Sequence, residues 1–285
     1  MAAEESEDNL TPNTLGEYWR SITLPRGAVC GFYGHSKGDF KSFSNFYEHE
    51  AQIFKIPDCC WNQEFKDANI SQIVDNIKFS EKSIMLCKAA LFKDQKAFET
   101  IKALRKPQQC KQAGREVRNF DKDIWNENVL TIAYEVVLQK FSQLTYEKNI
   151  LLSTNHSLIA EASPRDRIWG IGLGSHQPET QDPKLWLGTN ILGWALMKAR
   201  KEFQREYDKD DNNINREKNK KSKSVDENKI GAASSSSCQN EEKNENESDD
   251  VTKDKKGIGV KRETDIKTRM MMNKGIDSLE EFPAL

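Results

Sequence analysis

The pattern of apolar and polar positions separates a segment that can bury a core from two ends that cannot. Between residues 25 and 205, apolar side chains recur at helical spacing in four stretches, and three shorter runs are typical of strands. Ser80 and Asp94 are the predicted N-caps of two helices, two further helices are predicted at 123–141 and 190–204, and the predicted strands are 29–33, 51–56 and 158–162. The stretch 59–77 fits either helix or loop. We therefore expect one mainly α domain, an α+β fold with a few short strands.

Both ends of the chain lack this periodicity. Residues 1–24 are largely polar and are predicted to be a flexible leader. Residues 206–285 hold two aromatic side chains, Tyr207 and Phe282, among runs of Asn, Ser and charged residues. Burial of so little apolar surface cannot offset the entropy lost when a chain becomes ordered. This segment is therefore predicted to be a disordered, charged tail.

Composition narrows the class of protein further. There is no run of about 18 apolar residues, which a membrane-spanning helix would need, and the acidic N-terminus is unlike a signal peptide. The six cysteines follow neither a zinc-binding nor a disulfide spacing, so we expect reduced thiols in a cytoplasmic and/or nuclear protein. A net charge of −2 provides no overall basic field, so any contact with nucleic acid would be local.

Two loops carry unusual combinations of residues. The first, 32–46, places aromatic rings beside Ser44 and Asn45, although its Phe residues are also what a turn needs to plug a core. The second, 161–174, contains Glu161, Arg165, Asp166 and Trp169 within nine positions, followed by glycines at alternate positions. Such a loop can stack a flat ring and transfer protons. Its glycines do not form the dinucleotide-binding fingerprint.

The helix that begins at Ser80 carries further candidate chemistry. Glu81, Met85 and Lys88 lie at positions i, i+4 and i+7, on one face of that helix. Spacing alone does not distinguish a working Glu–Lys pair from two charges at the exposed edge of an apolar stripe. The four histidines are scattered, so we expect no metal site and no cofactor.

Taken in order, these motifs resemble the NADAR superfamily of YbiA-like proteins. The resemblance covers nearly the whole predicted domain. It rests on Phe32-Tyr33, Phe43–Phe46, Ser80-Glu81 with Lys88, Gly114–Asp121 with Trp125, Lys140-Phe141, Glu161–Gly172, and Gly188–Gly193 followed by Arg200. Glu64 also follows a tryptophan, but only Glu81 has a lysine seven residues later. Some bacterial members have an aspartate where this chain has Ile171, so the work of that carboxylate would fall here to Asp166 or be absent.

The resemblance implies an N-glycosidase, in which water attacks the anomeric carbon of a ribose and a base nitrogen departs. Members of the superfamily act on intermediates of riboflavin synthesis or resemble glycohydrolases that remove ADP-ribose from a modified guanine in nucleic acid. The resemblance therefore predicts an ADP-ribosylated nucleotide or nucleic acid as substrate. A riboflavin-intermediate N-glycosidase and a non-catalytic reader of ADP-ribose remain open as alternatives.

The resemblance also implies roles for individual residues. Glu81 would activate water and stabilise the oxocarbenium-like ribose, and Asp166 would be the second catalytic carboxylate. Trp125 and Trp169 would enclose the base, and Arg115 and Lys88 would suit phosphate groups. The complete set of predicted substrate-binding residues is Phe32, Ser44, Asn45, Lys88, Arg115, Trp125, Trp169, Gly170, Gly172 and Asn190.

The end of the tail is a separate feature. Leu279–Leu285 is apolar after a long polar stretch and resembles short peptides of some RNA-associated proteins. One hypothesis is that it binds a protein partner; the alternative is that a match this short arises by chance. The oligomeric state is not predicted by any of these patterns.

Overall fold

A computed structural model describes residues 10–23 and 28–209. Within these ranges the chain forms eight α-helices and four short strands, which confirms the expected mainly α fold. In chain order they are α1 (Pro12–Ser21), β1 (Val29–Phe32), β2 (Gln52–Lys55), α2 (Gln63–Asp67), β3 (Ile73–Ile77), α3 (Ser80–Leu91), α4 (Gln95–Ala103), α5 (Pro107–Arg115), α6 (Lys122–Gln143), α7 (Thr145–Ser153), β4 (Leu158–Glu161) and α8 (191–209). Across the described ranges, every helix is too short or too polar to cross a membrane.

The strands form two separate pairs. β1 and β4 are parallel, with Val29 opposite Leu158 and Phe32 opposite Glu161. Because parallel strands end at the same edge, the loop after Phe32 and the loop after Glu161 leave the sheet side by side. β2 and β3 are antiparallel. The three predicted strands are confirmed, and β3 lies in the stretch that the sequence leaves ambiguous.

Local signals explain where several helices begin. Asp94 caps α4 as predicted, because its carboxylate accepts from the amide of Ala97 at 3.1 Å. Pro107 is the first residue of α5, a position where its missing N–H costs nothing. The start of α3 corrects a prediction, because the residue at the cap is Phe79, with no side-chain bond, and Ser80 is already helical.

Two apolar clusters fill the domain, and α6 contributes to both. One cluster gathers α1, α8 and the β1–β4 pair, and the other gathers α3, α4 and the β2–β3 pair. Trp125 and Trp169 are half-buried and pack against both clusters. The loop that carries Trp169 is thereby held where the two clusters meet.

The leader predicted for residues 1–24 is corrected by α1. Leu15 and Trp19 are buried in the first cluster, and the Trp19 indole donates to the Thr189 carbonyl at 2.8 Å. The helix is therefore stabilised by contacts with the rest of the domain. The sequence of α1 alone is short and mostly polar, so its local pattern does not predict a helix. Of the predicted tail, 206–209 continue α8 instead, and 210–285, with the Leu279–Leu285 motif, lie outside the described residues.

Candidate active site

A cavity of about 540 Å³ opens at the shared edge of β1 and β4. It is bounded by the loop after β1, the segment 44–46, the first turn of α3, one residue of α5 and the loop after β4. The lining comprises Tyr33, Gly34, His35, Ser36, Lys37, Ser44, Asn45, Phe46, Glu81, Lys111, Glu161, Ser163, Asp166 and Trp169. Five of the residues predicted from sequence therefore meet here: Ser44, Asn45, Glu81, Asp166 and Trp169.

Glu81 lies in the first turn of α3 and is buried, with 6% of its surface exposed. Its amide donates to the Asn45 carbonyl at 2.9 Å, which ties the start of the helix to the segment 44–46. Burial raises the pKa of the Glu81 carboxyl to about 7, the charge of Asp166 adds to that rise, and Lys111 and Arg115 oppose it. The group can therefore take up or release a proton near neutral pH.

Glu161 is the last residue of β4, and its backbone is fixed on both sides. Its amide donates to the Asn190 side-chain oxygen at 3.1 Å, and its carbonyl accepts from the amide of Ile171 at 2.9 Å. The carboxyl oxygen Oε2 is buried and has no hydrogen-bond partner among the described residues. Burial raises the pKa of this carboxyl to about 8, and the charges of Asp166 and Glu81 act in the same direction against Lys111.

Asp166 organises the loop that carries Trp169. One of its carboxylate oxygens accepts from the amides of Ile168 at 3.0 Å and Trp169 at 2.8 Å, and its carbonyl accepts from the amide of Gly172 at 3.0 Å. These bonds close a turn that places Trp169 in the cavity wall. Asp166 thus orients the loop while its charge acts on both glutamates.

The two glycines predicted to bind substrate have conformational roles in this loop. A Cβ at Gly170 would lie 2.7 Å from the Glu161 carbonyl oxygen, so only glycine allows the loop to approach the end of β4. Gly172 has φ of +74°, in the left-handed region that favours glycine. Neither lines the cavity, and contact of either glycine with substrate remains a prediction.

Two lysines bring positive charge to the cavity. Lys111 projects from α5, and its ammonium lies 5.4 Å from the centroid of the Phe46 ring. Lys37 is exposed at the mouth, in the loop after β1. Cations on two sides of a cavity that also holds an aromatic wall are suited to an anionic, ring-containing ligand.

Lys88 and Trp125 lie outside the cavity lining, beside each other. The Lys88 ammonium donates to the Gly114 carbonyl at 2.8 Å and stands 4.2 Å from the centroid of Phe120 and 5.8 Å from that of Trp125. In this arrangement the lysine joins α3 to α5. Its phosphate contact and the stacking of Trp125 on a base remain predictions.

Phe32, Arg115 and Asn190 also lie outside the lining. Phe32 is a core residue that packs edge-on against Phe43, with ring centroids 5.5 Å apart. Asn190 is fully buried, and its amide group binds the backbone of Ile159 and Glu161. Arg115 is exposed and reaches Glu81 only through its charge. Their roles in substrate binding therefore remain predictions.

The sequence-based site omits Glu161, Lys111, Lys37 and His35, all of which line the cavity. Glu161 is visible in the sequence as part of the dense second loop, but its burial is not. Lys111 follows from the packing of α5 on α3, a contact between helices that no local pattern reveals. Among the described residues there is no group of three or more His, Cys, Asp or Glu side chains that could hold a metal ion.

Comparison with known proteins matches the NADAR domain family model to residues 31–204. The N-glycosidase R617 of Acanthamoeba polyphaga mimivirus is 41% identical over 126 residues, which cover 44% of this chain and 74% of the viral protein. Protein irg-1 of Caenorhabditis elegans is 30% identical over 179 residues, covering 61% of this chain and 82% of the nematode protein. The solution structure of the Escherichia coli protein YbiA superposes with a TM-score of 0.47 at 22% identity, over 66% of this chain and 92% of YbiA.

Proposed function

Because the chain belongs to the NADAR domain family, we propose that it is a hydrolase that cleaves an N-glycosidic bond between a ribose and a base nitrogen. The relative named as an N-glycosidase supports this reaction class. The observation that carries the proposal is the position of Glu81, a buried carboxyl with its pKa near 7 in the wall of a cavity. A general base works best when its pKa lies near the operating pH.

Glu81 has two tasks in this reaction. As the base departs, the ribose acquires oxocarbenium character, and a nearby carboxylate stabilises the positive charge. The same carboxylate accepts a proton from the attacking water. α3 is anchored through the bond between Glu81 and Asn45, so the carboxylate is carried by a rigid element.

We propose that the substrate is ADP-ribose attached to a guanine of a nucleotide or nucleic acid. The aromatic face of Trp169 suits a planar base, and Lys37 and Lys111 suit the pyrophosphate. The same cavity also suits a phosphorylated ribosylamine of riboflavin synthesis, or a reader that holds ADP-ribose without cleaving it. These alternatives predict different products, so one parallel assay separates them.

The assay incubates the full chain with ADP-ribosyl-guanine DNA, with NAD and with the aminouracil ribotide, and follows release of the base by chromatography. We expect cleavage of the first substrate, and a loss of about 10²–10⁴-fold in kcat for Glu81→Gln. Affinity of that variant for ADP-ribose should stay within a few-fold of the wild type. The matched control is Glu64→Gln, since Glu64 is an exposed glutamate paired with Lys93 on the surface.

Two results would contradict the proposal. Binding of ADP-ribose with no hydrolysis of any of the three substrates would identify a reader. A Glu81→Gln variant that keeps the full rate would show that another group activates the water.

A further inference from the structure

We propose that Glu161 is a further catalytic residue, the general acid that protonates the departing base nitrogen while Glu81 activates the water. This inference rests on the proposed function and adds the second half of its proton transfer. Its starting point is geometric, because the two glutamates line one cavity from separate elements, one on α3 and the other at the end of β4.

Hydrogen bonds hold the backbone of Glu161, whereas one oxygen of its carboxyl group has no partner among the described residues. The main chain is fixed by three contacts. Glu161 pairs with Phe32 in the β1–β4 ladder, its amide donates to the Asn190 side chain, and its carbonyl accepts from the Ile171 amide. The Oε2 atom is nevertheless buried without any hydrogen-bond partner among the described residues. Buried polar atoms are almost always paired in folded proteins, so an unpaired one at a cavity wall points to a missing partner. A substrate atom would supply that partner.

The charges around Glu161 favour its neutral, proton-carrying form. Burial and the neighbouring carboxylates of Asp166 and Glu81 raise its pKa to about 8, and the charge of Lys111 opposes them. The Glu81 pKa is lower, at about 7, with two opposing cations, Lys111 and Arg115. This arrangement of charges favours Glu161 as the proton-carrying group and Glu81, with two cations nearby, as the carboxylate that acts as base. Two neighbouring acids with different environments commonly divide the acid and base roles in this way.

The proposed step balances in protons and electrons. The bond between ribose C1′ and the base nitrogen breaks, and its electron pair remains on the nitrogen, which takes the proton of Glu161. A water oxygen forms the new bond to C1′, and Glu81 takes the proton that this water releases. The products are ribose with a hydroxyl on C1′ and a free N–H on the base, and passage of the proton from Glu81 to Glu161 restores the starting state.

Substrates with different leaving groups distinguish a proton donor from a residue with a structural role only. For Glu161→Gln we expect kcat on ADP-ribosyl-guanine to fall by about 10²–10⁴-fold, because the nitrogen then departs unprotonated. On 4-nitrophenyl β-ribofuranoside, whose phenolate leaves without a proton, the same variant should lose less than about ten-fold. Glu81→Gln should lose activity on both substrates, and Glu99→Gln, an exposed glutamate paired with Lys102, should lose it on neither.

A second measurement, the pH dependence of the rate on ADP-ribosyl-guanine, tests the role of Glu161 even if the wild type does not cleave the aryl riboside. The wild-type rate should decline above pH about 8 as Glu161 loses its proton, and Glu161→Gln should lack that decline. An equal loss on both substrates, or an unchanged alkaline decline in the variant, would overturn the assignment of Glu161 as the acid. Failure of the wild type on every ribosyl substrate would instead overturn the proposed function.

Discussion

At the scale of single residues, the cavity raises the pKa values of two glutamates, Glu81 and Glu161. Burial is the main cause for both carboxyls, the charge of Asp166 adds to the rise in each pKa, and the charge of Glu81 adds further to that of Glu161. Groups arranged in this way serve chemistry at the expense of stability, because the folded state must retain a proton that the unfolded chain releases. The trade-off can be measured without any substrate.

We predict that Glu161→Gln is more stable than the wild type at pH 9 but not at pH 4.5. The folded pKa of about 8 lies above the ordinary value of 4.5, so the folded state binds more protons in between and its stability falls as pH rises through that window. A neutral amide escapes this penalty, which at about 1.4 kcal/mol for each pH unit of that window can reach about 5 kcal/mol. Urea unfolding at both pH values gives the free energies of unfolding. A variant less stable than the wild type at pH 9 would contradict the prediction.

The same residues show how far a sequence can predict a site. The spacing of Glu81 and Lys88 marks the correct helix, but it also suggests that Lys88 faces the substrate. In the fold, α5 lies against α3, and the Gly114 carbonyl captures the Lys88 ammonium. The helical lysine that lines the cavity is instead Lys111, one turn before Gly114 on α5. Helical periodicity predicts which side chains share one face of a helix, but it does not predict which other element packs against that face.

At the scale of elements, Asp94 connects helices that the sequence treats separately. Its carboxylate caps α4 and also accepts from the Arg118 guanidinium, at 2.6 and 3.1 Å, and from the Arg118 amide at 2.9 Å. The segment after α5 is thereby fastened to the start of α4. The hydrogen bonds from Arg118 hold the pKa of Asp94 well below its usual range despite burial.

We predict that Asp94→Asn destabilises the fold by about 1–3 kcal/mol at pH 7. The side chain is buried, with 2% of its surface exposed, and the variant loses its charged hydrogen bonds to Arg118. Since the folded pKa is depressed, this stabilisation is present above pH 4 and is lost as pH falls. The variant and wild type should therefore converge in acid. Urea unfolding at pH 7 and pH 3 measures the free energies of unfolding of the variant and the wild type. Asp123→Asn, at an exposed residue in the first turn of α6, is the control. Equal stability of Asp94→Asn and the wild type at pH 7 would contradict the prediction.

The elements that sequence patterns missed share one physical property. α1, α2, α5, α7 and β3 are short, and each packs against distant parts of the chain. α6 and α8, in contrast, were predicted because they are long and carry sustained apolar stripes. Short elements gain too little from local interactions to leave a clear pattern, and this is why β3 could not be distinguished from helix or loop.

At the scale of the whole molecule, one buried lysine joins the core to the cavity. Lys140 lies on α6 with 4% of its surface exposed, and its ammonium donates to the carbonyls of Ser42 at 2.5 Å and Ser44 at 3.3 Å. The segment that it holds continues to Asn45, whose carbonyl anchors Glu81. The Lys140-Phe141 motif was found in the sequence as part of a resemblance, but its structural task depends on a contact across almost 100 positions.

Burial lowers the pKa of Lys140 to about 7, since the charge of Glu147 compensates only in part. Between pH 7 and the ordinary value of 10.5, the unfolded chain therefore binds more protons than the folded one. Stability contributed through Lys140 should then rise with pH in this window, by as much as about 1.4 kcal/mol per pH unit. This is the opposite slope from that of the two cavity glutamates.

We predict that Lys140→Met removes this slope, so that the wild type gains stability over the variant between pH 7.5 and 9.5. The cavity glutamates are present in both chains, so their contribution cancels in the difference. The variant should also lose activity, because the Ser42 and Ser44 carbonyls lose their donor and the segment that positions Glu81 is no longer held. Urea unfolding at both pH values tests the first effect, with Lys122→Met, exposed at the start of the same helix, as control. A stability difference that stays constant across this range would show that the buried lysine does not change its protonation there.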